Sequence, residues 1–238
     1  DVVIGHKPAA VRHLILPMYT QGRRPLFIGV RRVSYPVSPL TVYRAADHVV
    51  AVSGSVRDVL VTSGLREAGI TVVPSGVETE RFRFSEAVRR ETREKLGLSG
   101  SRVLLNLAKF VPAQKGQDVL LSALGQLGGL DNTRLLLAGM DTDGDEARRM
   151  VRKHGLEAQV QLLGFRRDIP QLLCAADVFV FPSRPGLDAI AGSVLQAMAC
   201  ERVVVSSRIG GIPEYVVSGS NGYLVEPADA TALARTLR

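Results

Sequence analysis

Tryptophan is absent from these 238 residues, and aromatic residues of every kind make up 5% of them. A protein that stacks on nucleic-acid bases has little to stack with here. No nucleic-acid reader motif accompanies the basic residues, which argues against such a partner. No run of about 18 apolar residues occurs, so no segment reads as a membrane span. Cysteine is scarce: Cys174 and Cys200 are the only two, both in apolar helical contexts. They read as buried small hydrophobes, not as a disulfide or metal pair, and favour a reducing, cytoplasmic setting. An initiator methionine is missing as well. The opening Asp1-Val2-Val3-Ile4 has the pattern of a buried strand. The expectation is therefore a piece of a longer protein, begun inside a fold and without a secretory leader.

What is present is a core. Hydrophobic residues make up 46% of the chain. The net charge of +7 is unevenly spread: residues 1–83 hold 11 Lys/Arg against 6 Asp/Glu, and residues 84–238 hold 19 against 17. The basic first part reads either as an ordinary arginine-rich surface or as a face for an anionic substrate or an anionic membrane surface.

Short apolar runs alternate with amphipathic stretches throughout. The runs predict strands at 2–4, 26–30, 48–52, 71–73, 103–107, 134–138, 160–163, 178–181, 203–205 and 222–225. Most are near-continuous Val, Ile and Leu, the mark of parallel strands covered on both faces. The periodic stretches between them predict helices at 8–20, 55–63, 86–96, 117–127, 145–154, 169–175, 193–200 and 228–237. Repeated β–α–β units with short loops make an α/β chain of doubly wound parallel sheets. Turn residues at Pro74-Ser75-Gly76 and a charged helix ending in Gly97-Leu98-Ser99-Gly100 place a boundary there. The linker is expected at about 74–84, with one lobe over 1–78 and a second over 79–238.

The densest signal lies after the strand at 178–181. A loop leads into a helix carrying Leu195-Gln196-Ala197-Met198-Ala199, with seven residues between Asp188 and Gln196. The next strand ends in Ser206-Ser207, and Gly210-Gly211-Ile212-Pro213-Glu214 follows. Open α/β sheets bind ligands at the carboxyl ends of their strands, and a helix N-terminus there suits a phosphate.

This stretch resembles the donor-sugar site of retaining glycosyltransferases of family 4, which have the GT-B fold. Their loop carries a Glu, seven residues and a second Glu in a "LEAMA" helix, then a "GG-x-P-E" turn. Asp188 and Gln196 stand in place of the two acids. The resemblance covers nearly the whole chain. Asp47-His48-Val49-Val50-Ala51-Val52-Ser53 is similar to the family's "D-x-V-I-A-V-S" strand, and Asp1 to His6 to its "D-V-V-H-x-H" strand. Residues 74–82 are similar to its interlobe "P-x-G-V-x-x-x-x-F" segment. The resemblance implies two Rossmann-like lobes, the first incomplete and the second lacking its last helices.

It also implies roles. Lys109 and Lys115, in a strand–loop–helix context, match the family's Arg-x5-Lys-Gly, whose two cations hold the donor diphosphate. As negative charge grows on a leaving pyrophosphate, fixed cations there are the main catalytic lever. Lys at 109 keeps the charge of Arg but not its fork. Asp188 would accept from the sugar hydroxyls, and equally reads as a helix N-cap. Gln196 would face the ribose, or sit as a polar position on a half-buried helix. Backbone groups of Ile190, Ala191, Gly192 and Ser193 would hold sugar and phosphate. Gly139 resembles a turn beside the diphosphate, and Gly164-Phe165-Arg166 the turn that receives the base. His6, Arg31 and Arg32 stand at positions near the acceptor cleft. His6 also reads as structural, and the arginine pair as a binder of an anionic acceptor. Glu214 is expected to cap the helix that follows it.

The implied reaction is sugar transfer with retention from a UDP- or GDP-sugar to a glycan or lipid-linked acceptor. The donor is a substrate, so no cofactor is expected. No metal is expected either, since Asp141-Thr142-Asp143 reads as a turn before a helix. The setting would be cytoplasmic, with peripheral contact at the inner membrane face. Two other readings stand beside it: a nucleotide-sugar-binding scaffold without turnover, and a GT-B sugar-nucleotide epimerase.

Overall fold

The structure, a computed structural model, describes residues 1–6, 24–33, 41–128, 132–186 and 191–238. The helix expected over 8–20 lies outside them, as do Asp188 and Ile190. The chain divides into two compact units. One comprises Asp1–Ser75 and takes in Gly210–Glu214; the other holds Gly76–Pro185, Ala191–Ile209 and Tyr215–Arg238.

The first unit is built on a four-stranded parallel sheet. Its strands are β1 (Val2–Gly5), β2 (Leu26–Arg31), β3 (His48–Ala51) and β4 (Ile70–Val72), in spatial order β1-β2-β3-β4. Between them lie a short helix α1 (Thr41–Arg44) and helix α2 (Gly54–Thr62). The core gathers Phe27, Tyr43, Val49, Ala51, Val52, Val56 and Leu60. Asp47 fixes one end of the sheet, its carboxylate accepting from the Phe27 N–H at 2.8 Å and pairing with Arg24 at 2.9 Å. Ser53 caps α2, its Oγ accepting from Val56 N at 3.2 Å. That cap stops the strand pattern at Ala51 and turns the chain into a helix.

The second unit begins with α3 (Glu86–Leu96), capped by Ser85 and ended by Gly97 in the left-handed region. Six parallel strands follow: β5 (Arg102–Leu107), β6 (Thr133–Ala138), β7 (Val160–Leu162), β8 (Val178–Phe181), β9 (Val203–Ser207) and β10 (Gly222–Val225). The helices between them are α4 (Pro112–Lys115), α5 (Gln117–Gln126), α6 (Asp145–Lys153), α7 (Ile169–Ala175) and α8 (Gly192–Ala199), and α9 (Ala230–Leu237) follows β10. The spatial order is β10-β9-β8-β5-β6-β7. The chain starts in the middle at β5, winds outward to β7, then crosses back to β8 on the other side. The change of winding direction lies between β5 and β8, where such sheets open a crevice at their carboxyl edge.

Continuous Leu and Val make this sheet buried on both faces. Leu104, Leu135, Leu137, Val180 and Val205 share one cluster with Leu120, Leu121 and Leu124 of α5 and Leu233 and Leu237 of α9. Below it, Asp177 accepts from Val103 N at 2.7 Å and pairs with Arg93 at 2.6 Å and with Arg89. Arg93 also donates to Ala175 O, and Arg202 to Ala176 O, so arginines satisfy the carbonyls that end α7. Burial pushes the Asp177 carboxyl up, but the Val103 N–H and the two guanidiniums outweigh it and hold the group below the ordinary carboxylate range.

All ten expected strands form. The short helices at 41–44 and 112–115 were not legible, because one helical turn carries no periodicity. No helix among the described residues is long and apolar enough to cross a membrane.

Candidate functional site

The carboxyl edge of the six-stranded sheet collects the loops that follow β5, β6, β7 and β8. After β5 the chain runs through Ala108 and Lys109 into the single turn α4 and then Gly116. Lys115 ends that turn, half-buried, with its Nζ 5.9 Å from the centroid of the Phe181 ring at the end of β8. Lys109 is exposed and forms an ion pair with Asp141, Nζ to Oδ2 3.4 Å. It is therefore a partnered cation, and an exposed pair of this kind is held weakly enough to exchange.

The glycines here are dictated by crowding. Gly116 has φ 69°, and a Cβ on it would stand 2.0 Å from the Pro182 carbonyl oxygen. Gly139, at the end of β6, has φ 145°, and a Cβ there would stand 2.1 Å from Ala108 O. The loops are stitched by backbone bonds: Phe110 N to Met140 O at 2.8 Å, Gly139 N to Gly164 O at 2.8 Å, and Arg184 N to Gln114 O at 2.8 Å. The expected donor-side residues Lys109, Lys115, Gly139, Gly164, Phe165 and Arg166 are thus brought onto one edge.

Phe165 stands out from the turn after β7 with 66% of its surface exposed, which is unusual for a phenylalanine without a partner. Beside it the Arg166 guanidinium is committed to Asp168, Nε to Oδ1 2.8 Å. That bond, opposed by partial burial, keeps the Asp168 carboxyl below its ordinary range. Helix α8 opens with Ala191 at its N-cap and no side-chain cap. Its first N–H groups, at Gly192 and Ser193, therefore have no partner within the helix. Ala191 is buried, Gly192 exposed, and Ser193 and Gln196 half-buried. Among the described residues no group of His, Cys, Asp or Glu is gathered to hold a metal.

Three polar residues at this edge, two of them buried and Arg184 half-buried, were not singled out from the sequence. Asn106 is fully buried and bridges β5 to β8, Nδ2 donating to Val180 O at 2.9 Å. Gln117 donates to Lys109 O at 2.8 Å and closes the loop on itself. Arg184 forks onto Asp118 at 2.8 and 2.7 Å. Asp118 and Arg184 lie 66 residues apart, so their pairing leaves no local trace in the sequence.

The other expected residues belong to the first unit. His6 and Arg32 are exposed at the carboxyl ends of β1 and β2. Arg31 is 1% exposed, with its Nε donating to Val33 O at 2.9 Å and its guanidinium 5.8 Å from the Tyr43 ring centroid. Its side chain belongs to the core, not to an open cleft, because alternation along β2 turns it inward. Glu214 corrects a second expectation. It does not cap the helix after it. Its carboxylate takes the Gly54 and Ser55 N–H groups that open α2, each at 3.0 Å.

The family model described as Glycosyl transferases group 1 matches residues 101–238, the part of the chain that carries this edge. The chain belongs to that family. A second model, Glycosyltransferase Family 4, matches residues 6–81 of this group 1 chain.

The chain is 35% identical over 199 residues to the GDP-mannose-dependent alpha-(1-6)-phosphatidylinositol monomannoside mannosyltransferase of Mycolicibacterium smegmatis, covering 79% of this chain and 51% of that one. It is 30% identical over 220 residues to the D-inositol 3-phosphate glycosyltransferase of Streptomyces avermitilis, covering 85% and 46%. The group 1 chain thus spans about half the length of the curated relatives it matches. Among solved structures, HepE of Anabaena in complex with UDP superimposes with a TM-score of 0.88 at 25% identity, over 99% of this chain and 67% of that one. A Rickettsia africae glycosyltransferase does so with a TM-score of 0.87 at 23% identity, over 100% and 65%. The α/β fold with two parallel sheets matches GT-B glycosyltransferase structures.

Proposed function

We propose that this chain is part of a retaining glycosyltransferase, and that residues 79–238 form its donor lobe and residues 1–78 part of its acceptor lobe. The donor is a nucleoside diphosphate sugar. The acceptor is a glycan or a lipid-linked molecule reached from the cytoplasmic side of a membrane. The names of two relatives support an acceptor that contains inositol. The observation that carries the reading is the placement of Lys115 at the winding reversal of the six-stranded sheet, after β5 and beside the end of β8. A diphosphate bound there meets a cation, the exposed start of α8 and the glycine turns.

In this reading the bond from the anomeric carbon to the diphosphate oxygen breaks, the acceptor oxygen bonds to that carbon, and Lys115 stabilises the charge left on the phosphate. Lys109 joins it by exchanging Asp141 for the ligand. Ala191, Gly192 and Ser193 offer backbone N–H groups, and Gln196 an amide for the ribose. Gly164, Phe165 and Arg166 form the base end. By the family resemblance Asp188 and Ile190 meet the sugar, and His6 and Arg32 face the acceptor. The departing phosphate takes the acceptor proton, so no side-chain nucleophile is needed.

The second reading, a nucleotide-sugar-binding protein without turnover, is favoured by Gln196 in place of an acid and by the Lys109–Asp141 pair. Incubating the chain with UDP- and GDP-sugars and an inositol-containing acceptor separates the two. A product that keeps the donor's anomeric configuration supports transfer. Donor binding with no product supports the second reading.

A further inference from the structure

We infer that Arg184 is a positioning residue for Lys115: by clamping the loop after β5 it sets where the Lys115 ammonium stands, and so how firmly a diphosphate is held. The inference rests on the donor-site reading above and names a residue that the reading does not need.

Helix α4 is a single turn. It has Val111 at its N-cap without a side-chain cap, and an isolated turn is too short to hold itself. Its place is fixed from outside, by the segment that follows β8. Arg184 donates through one terminal nitrogen to Pro112 O at 2.6 Å and to Asp118 Oδ1 at 2.8 Å. The other terminal nitrogen donates to Asp118 Oδ2 at 2.7 Å. Its backbone N–H donates to Gln114 O at 2.8 Å. One residue thus holds the first and third residues of α4 and the first turn of α5, on both sides of Lys115.

Two further contacts put the same segment against the same turn. Gly116 is seated on the Pro182 carbonyl so closely that no side chain fits, and Lys115 lies over the Phe181 ring. The Arg184–Asp118 pair is only partly exposed, 27% and 38%, and two-pronged, the geometry in which an ion pair gives direction as well as energy. Burial raises the Asp118 carboxyl, but Arg184 and the backbone N–H groups beside it outweigh this and keep it ionised. Both terminal nitrogens of Arg184 are committed to the protein's own oxygens, so the inferred role is to act through Lys115.

Lysine at 184 keeps the charge but cannot reach Asp118 with two prongs and Pro112 O together. The test is a double-mutant cycle in the full chain with Arg184→Lys, Lys115→Ala and both. Each is titrated with UDP, GDP, uridine and guanosine, and its melting temperature is recorded. Arg184→Lys is expected to weaken the diphosphates by about two- to 150-fold, the span for residues that act as one unit. Nucleoside affinity stays as in the wild type. Once Lys115 is Ala, the change at 184 has no further effect. Equal losses for nucleoside and diphosphate, or the same loss with Lys115 already removed, overturn the inference and leave the donor-site reading standing. A wild-type chain that binds neither diphosphate overturns both. Should Arg184→Lys fail to fold, Asp118→Asn opens the same clamp and is read by the same cycle.

Discussion

The Glu214 carboxylate bridges the first two N–H groups of α2, Oε2 taking Gly54 and Oε1 taking Ser55, each at 3.0 Å. A negative charge at a helix N-terminus satisfies donors that no residue of the helix can reach and opposes the helix dipole. Because the partners lie about 160 residues apart in the chain, this contact fastens Gly210–Glu214 into the first unit.

Glu214→Ala is therefore expected to destabilise the protein by about 1 kcal/mol, the usual cost of losing a helix cap. Glu214→Gln, which keeps an acceptor oxygen, should cost less. Denaturant melts of the three proteins check this. Identical midpoints for all three would show that the contact contributes nothing.

Asp177 gives a pH dependence. Its folded carboxyl is held below the ordinary range, so its contribution is complete above the unfolded value of about 4 and is lost as the pH falls through the lower folded value. Asp177→Asn should cost about 1.5–3 kcal/mol at neutral pH, the scale of hydrogen bonds to charged groups. The gap between the two proteins should close as the pH drops below about 4. Stability curves that stay parallel down to pH 2 would contradict this account.

The two thiols should be inert in the folded chain. Cys174 and Cys200 are both buried and unpaired in disulfides, and burial, followed by the neighbouring Cys174, pushes the Cys200 thiol up to about 12. Thiolate is the reactive form. Maleimide at pH 8 should label neither residue until denaturant is added. Fast labelling of the native chain at either position would rule this out.

The strands were legible because each is a near-continuous apolar run, and a doubly wound sheet follows from their alternation with helices. Lys115-Gly116 stood out because a strand, a loop and a helix start surround it. What escaped was long-range. The Arg184–Asp118 fork and Glu214 on α2 each depend on chain segments that only folding brings together. Arg31 stands apart: the family resemblance set it near an acceptor cleft, and the pleat of β2 buries its side chain against Tyr43. The Lys109–Asp141 pair spans two neighbouring strand ends and has no fixed spacing to betray it.

Gln196 tests the ribose end of the site. If its amide holds the diol, Gln196→Glu supplies a charged acceptor and should tighten ribonucleoside diphosphates more than their 2′-deoxy counterparts. If it only packs on α8, the carboxylate gains nothing and loses stability where it is half-buried without a partner. Paired affinities and the melting temperature of each variant decide. A lower melting temperature without ribo-selective tightening rejects the ribose role.

The most direct test of the central claim is calorimetric titration of the full chain and its Lys115→Ala variant with UDP, GDP and the matching nucleosides. The account predicts that the wild type binds a diphosphate, and that removing Lys115 weakens this binding by about 1.5–3 kcal/mol, the range for a hydrogen bond to a charged group. Nucleoside binding should stay unchanged. No heat with either diphosphate at millimolar concentration, or an equal loss for nucleoside and diphosphate, would contradict it.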